Sequence, residues 1–166
     1  MTLPNLVAGV LVRDLRALRR EVQAYADERD LWRAAPGITN TGGTLVLHLA
    51  GNLQHFVGHI IGKSGYVRNR DAEFARRDVP RGELLEEIDR AIVAVEAGLA
   101  RIADKDLAAE FPEPIGKHRL STADALLHLM THCAYHLGQA DYHRRLVTGQ
   151  TTTVGAMVPG ELRSAK

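Results

Sequence analysis

Eight histidines stand in a chain with a single cysteine, and most of them fall into two ladders. The segment from Thr41 to Ile61 holds His48, His55 and His59. At about 100° per residue, offsets of 7 and 11 positions return a helix to within roughly 20° of its starting direction, so these imidazoles share one line, with Asn52 close to it. A later segment holds His128, His132 and His136 at i, i+4 and i+8, with His143 further on. Neighbours at i and i+4 lie one above the other on a helix, so a pair can point at one atom. Neutral imidazole nitrogen binds divalent transition metals at about 2.0–2.1 Å, and three protein ligands leave room for water or substrate. An HxxxH pair supplies two ligands, and a facing helix must supply the third. His48 is placed best, but periodicity does not separate it from His55 or His59. Cys133 follows His132, so the glutamate of the HExxH zinc-protease pattern is missing. One histidine on a helix more often meets solvent or a hydrogen-bond partner than a metal. Several imidazoles buried at one seam are costly without a shared partner, and that joint arrangement favours an ion. His55, His59, His118 and His143 read as surface or supporting residues, and His128 is left open. No carboxylate or serine in these motifs stands out as a general base.

The elements around these ladders read as all-α. Leu6, Val10, Leu15, Leu18, Val22 and Tyr25 recur at mostly three- to five-residue spacing, which makes Asn5 to about Leu31 an amphipathic helix closed by Ala35-Pro36-Gly37. A second helix spans about Thr41 to Ile61 on Leu45, Leu49, Leu53, Phe56 and Ile60, and Gly62-Lys63-Ser64-Gly65 stops it. A third runs from about Gly82 to Ile102 on Leu84, Ile88, Ile92, Val95 and Leu99. The fourth begins at Ser121, with Asp124 three positions on as a short capping box, and ends near Val147. Its core stripe is Leu126, Leu129, Met130, Cys133 and Leu137, with His132 and His136 at the seam. No alternating run reads as a strand. The expectation is a four-helix bundle, residues 1–149, with long connections after its second and third helices and a tail at 150–166.

Composition excludes several functions. With 21 Lys+Arg against 20 Asp+Glu, interspersed, there is no concentrated basic surface of the kind nucleic acid requires. One cysteine excludes an internal disulfide and a CxxC zinc site. No apolar run reaches the roughly 20 residues of a membrane span, and the N-terminus lacks the order of a signal peptide. A cytoplasmic protein without nucleic-acid or membrane partners is expected. Arg68, Arg70, Arg76, Arg77 and Arg81 crowd one segment. Guanidinium groups can grip the carboxylates of an anionic substrate. Pairing with Asp71, Glu73 and Asp78, or plain solvation, is the favoured reading, because charge runs usually decorate surfaces. Gly51, Gly58 and Gly62 line the other flank of the second helix, where they admit close approach of another backbone, from a second copy or from this chain.

Three stretches, GGTLVLHLAGNLQHFVGHIIG, RNRDAEFARRDVPRGELLEEID and HLMTHCAYHLGQADYHRRLVTG, together resemble the DinB-like (DinB/YfiT) superfamily of bacterial metal-binding four-helix bundles, over about residues 5–149. The most specific element is H-x-x-x-H-x-G-Q, present as His132, His136, Gly138 and Gln139, and LHLAGNL carries the matching His48. The resemblance implies His48, His132 and His136 as ligands of a divalent metal, zinc or nickel, in an up-down-down-up bundle that is often a homodimer. Beside them, Asn52 and Gln139 stand where an amide can orient an imidazole, and His128 is grouped with these supporting residues. Characterised relatives include hydrolases and transferases or isomerases that use low-molecular-weight thiols such as mycothiol or bacillithiol. The implied function is a metal-dependent hydrolase or thiol-dependent transferase acting on a small molecule. The alternative is a non-catalytic metal-binding or stress-response dimerisation module.

Overall fold

Leu11, Leu15, Leu18 and Val22 bury one stripe of α1 (Leu3–Ala24), and the Thr2 side chain caps it by accepting from the Asn5 N–H. The structure, a computed structural model, describes residues 2–162 and 164–165. α1 ends short of the expected Leu31. Tyr25 turns extended as its ring enters the core and its carbonyl accepts from Arg81, and Asp27 caps a separate 3-10 turn, Glu28–Trp32.

Thr41 caps α2 (Gly42–Leu53), whose residues are all buried, and the chain continues as a π-helix, Gln54–Ile61. α3 (Arg70–Ala75) is a short helix inside the arginine-rich segment, nucleated by the Asn69 side chain accepting from the Ala72 N–H at 3.0 Å. α4 spans Arg81–Leu99 and α5 spans Thr122–Thr148. Ser121 caps α5 as expected, and Gly149, at φ 71°, closes it with its N–H on the Arg145 carbonyl. Among the described residues the fold is all-helical with five α-helices, the short α3 lying in the connection expected after the second helix. Among the described residues there is no strand, only two isolated bridges in the connection before α5. No helix among the described residues is long and apolar enough to cross a membrane.

α1 packs on α4 and α5, α4 packs on α2 and the π-helix, and α2 lies against α5 and α3. The glycine stripe is used inside the chain. A Cβ on Gly58 would sit 2.8 Å from that of Ala94, and one on Gly98 would strike the Val57 carbonyl, so the π-helix and α4 touch nearly backbone to backbone. The tail folds back on α5 and α1. Arg144 and Arg145 hold the carbonyls of Thr152 and Thr151, and Arg20 holds those of Val154 and Gly155.

Candidate metal centre

α2 and α5 face each other where His48 is buried and His132 and His136 are half-buried. The Nε2 atoms of His48 and His132 lie 3.2 Å apart, and one nitrogen from each of the three rings falls within 4.8 Å of the others. Two nitrogens bound to one tetrahedral ion at 2.0–2.1 Å stand about 3.3 Å apart, so the His48–His132 spacing suits a shared ion.

The other nitrogens fix which atoms point inward. His48 donates its Nδ1–H to Glu73 Oε2 at 3.0 Å, and Arg68 grips the same carboxylate with two hydrogen bonds of 2.6 and 2.8 Å. Burial alone would raise the Glu73 pKa, but the hydrogen bonds from Arg68 and His48 outweigh it and hold the group below its ordinary value. Glu73 reaches His48 only because position 51 is glycine, since a Cβ there would run into its carboxylate. On α5, His136 donates Nδ1–H to Gln139 Oε1 at 2.6 Å. Both rings thereby direct an unprotonated Nε2 into the seam, as metal-binding histidines do when a carboxylate or carbonyl holds the far nitrogen. Burial, then the neighbouring His136, His48 and His128, push His132 down to about 3. Burial also lowers His136, with Gln139 acting in the opposite direction. Ring nitrogens converging on one point suit a cation, so this three-histidine group could hold a metal ion.

The centre opens into a cavity of about 810 Å³ lined also by Asn52, Phe56, Arg68, Arg70, Phe74, Glu113 and His128. The expected supporting residues fare differently. Gln139 orients His136. His128 is exposed, 5.9 Å from the His132 ring centroid, and no hydrogen bond joins it to a ligand. Asn52 departs from its expected role: its Oδ1 is buried without a partner and holds no imidazole. His55 and His59 leave the His48 line because the π-helix has i→i+5 bonding and wider turns than the 100° register assumes. His55 instead bonds Glu113 at 2.8 Å and stacks near His59. His118 is exposed in the connecting segment. His143 is not a surface residue: only 2% exposed, it accepts at Nδ1 from the Tyr25 hydroxyl and the Gly42 N–H and donates Nε2–H to the Arg33 carbonyl, tying α5 to the start of α2. In the arginine segment, Arg68 is committed to Glu73 and Arg76 to Glu83, while Arg70 lies over the Phe74 ring at the cavity wall. Glu73, Arg68 and Glu113 are the site residues that spacing does not reveal.

A mycothiol-S-transferase family model matches residues 6–149, which takes in α1 from its fourth residue, the other four α-helices whole, and all three histidines. The chain belongs to the mycothiol-S-transferase family. This is a DinB-like family, in accord with the resemblance carried by His132, His136, Gly138 and Gln139. No curated protein matches the chain. In this mycothiol-S-transferase family member, Glu73→Gln keeps the shape but turns the strong acceptor on His48 into an amide. Metal affinity is expected to fall about 10–100-fold, measured by competition with a chromophoric chelator. An unchanged affinity would show that Glu73 does not support the centre.

The neutral imidazoles also set an acid limit. In the chelated protein, folded His132 titrates near 3 while the unfolded side chain titrates near 6.5, so below that value the unfolded state binds the extra proton and gains on the folded one. His143, lowered by burial, acts in the same sense. Glu73 adds to the loss at lower pH, because its folded pKa lies below 4.5. Burial raises Asp14 and Glu21, which act in the opposite sense, so the His132 effect is read by comparison. The urea midpoint of the chelated protein should fall further between about pH 7 and about pH 5 than that of chelated His132→Ala, and an equal or smaller fall would contradict this.

Proposed function

We propose that the protein is a metal-dependent S-transferase that joins a low-molecular-weight thiol to an electrophilic small molecule, with zinc or nickel held by His48, His132 and His136. The observation that carries the reading is the convergence of three imidazoles on one point at the edge of an open cavity, in a chain of the mycothiol-S-transferase family.

A bound divalent ion would supply Lewis acidity that lowers the thiol pKa toward neutrality. Glu73 and Gln139 keep the rings oriented for it. The thiol loses its proton to water through the open cavity. Its sulfur then forms a C–S bond with the electrophilic carbon while the leaving group departs with the electron pair of the broken bond, for example as chloride. Transfer suits the residues better than hydrolysis. Water activation gains from a free carboxylate base beside the ion, and the carboxylates here are engaged: Glu73 by His48 and Arg68, Glu113 by His55. Cys133 offers no nucleophile of its own, since complete burial pushes its thiol far above the usual range.

The reading extends to an up-down-down-up arrangement of the four long helices, to a homodimer of twice the 18.2 kDa chain mass, and to the cytoplasm, where low-molecular-weight thiols stay reduced. Conjugation of mycothiol or cysteine to monochlorobimane, followed by fluorescence, tests the activity. The metal-loaded protein should accelerate the reaction, chelation should remove the acceleration, and readdition of zinc or nickel should restore it. No acceleration with either thiol would overturn the reading.

A further inference from the structure

A second cavity, of about 360 Å³, opens beside the first, and Asn40 lines both. Its wall includes Gln139, the residue that holds His136, so a molecule seated there lies one side chain away from the metal centre. The two lobes differ in chemistry. The metal lobe carries Arg68, Arg70, Glu113 and several histidines. Among the described residues, the second lobe has no Lys, Arg, Asp or Glu in its lining. Its one titratable imidazole, His143, is already saturated by Tyr25, Gly42 and Arg33. Ile38, Tyr142 and Leu146 converge on the lobe, yet they are 41%, 76% and 59% exposed. Large apolar side chains exposed singly are ordinary, but three around one concavity of ligand size mark a binding surface. The loop wall is shaped locally: Gly37, at φ 76°, follows Pro36, and the Ile38 N–H closes the turn on the Ala35 carbonyl at 3.0 Å.

We infer that this second lobe is the acceptor subsite, where an uncharged, largely apolar electrophile rests on Tyr142, Leu146 and Ile38 while the polar thiol occupies the metal lobe. This deepens the S-transferase reading and rests on it. A charged acceptor would lose its hydration in a lobe that offers no ionic partner, whereas an apolar one covers surface now in contact with water. Asn40 and Thr39 leave amide and hydroxyl groups at the rim for a neutral polar substituent.

The test uses the metal-loaded protein and two fluorescent probes of similar size: neutral N-phenyl-1-naphthylamine and anionic 8-anilinonaphthalene-1-sulfonate. The neutral probe should bind more tightly, and monochlorobimane should displace it. The Tyr142→Ser/Leu146→Ser variant, changed only at exposed positions, should keep its helical circular dichroism and bind the neutral probe about tenfold or more weakly. In turnover it should raise KM for the electrophile and leave KM for the thiol unchanged. His132→Ala should still bind the probe, so a failure of the metal chemistry is separable from a failure of the subsite. Equal binding of both probes, or unchanged probe binding in the double variant, would overturn the inference. So would a double variant that turns a dimer into a monomer without changing probe binding, since the face would then belong to a second copy.

Discussion

Replacing His132 by alanine is expected to abolish stoichiometric metal binding and, with it, metal-dependent thiol transfer. His132 Nε2 lies 3.2 Å from His48 Nε2, and its ring centroid is 4.5 Å from that of His136, so it adjoins both of the other ligands. Without it, two imidazoles on different helices remain, and the loss should exceed the roughly 10–100-fold that follows from deleting an outer partner of a ligand. The fold should survive in the absence of metal. His132 is half-exposed on the cavity wall, its Nδ1 has no partner, and the variant relieves the crowding of neutral rings that burial imposes. Isothermal titration with zinc and with nickel, beside circular dichroism, reads both halves. Unit stoichiometry retained at wild-type affinity would place the ion elsewhere. The same variant in the bimane assay should show no more than the buffer rate.

The largest effect on stability is expected far from the cavity, at Arg144. This side chain is completely buried and bonds Glu21, itself 1% exposed, together with Asp141, Gln150 and the Thr152 carbonyl. It therefore joins α1, α5 and the folded-back tail in one network. Burial raises the Glu21 pKa, and Arg144 works against that rise. Arg144→Ala leaves the carboxylate buried and unpaired, an arrangement that costs about 3–5 kcal/mol. For a domain of this size that corresponds to a drop in Tm of roughly 6–20 °C. Pairing the change with Glu21→Gln removes the stranded charge and should recover part of the loss, which a purely steric defect would not allow. A single variant that melts within about 2 °C of the parent would show that the buried network contributes little.

Much of this architecture is legible in residue spacing, because helices were the only elements with periodic support. Leu15, Leu18 and Val22 announce α1, although Leu6, read with them, is exposed and Leu11 takes its place in the buried stripe, and Ser121 with Asp124 announces the start of α5. The nearness of His132 and His136 follows from i, i+4 geometry alone. Other features depend on contacts that spacing does not carry. Glu73 lies 25 residues from His48 in a charge-rich segment, and only the packing of α3 on α2 brings them together. The 100° register that aligned His48, His55 and His59 presumes an uninterrupted α-helix, and the π-helix from Gln54 breaks it. His143 reads as a surface or supporting residue from spacing because its partners, Tyr25, Arg33 and Gly42, all lie about 100 or more positions earlier in the chain. Asn52 sits one turn from His48 as an orienting amide would, yet side-chain direction rather than position decides whether a hydrogen bond forms.

Anomalous diffraction at the zinc and nickel edges, from crystals of the purified protein, tests the central claim most directly. One peak is predicted, within about 2.0–2.2 Å of a nitrogen from each of His48, His132 and His136. A peak bonded to other side chains, or a protein that takes up no ion when crystals are soaked in either metal, would contradict it.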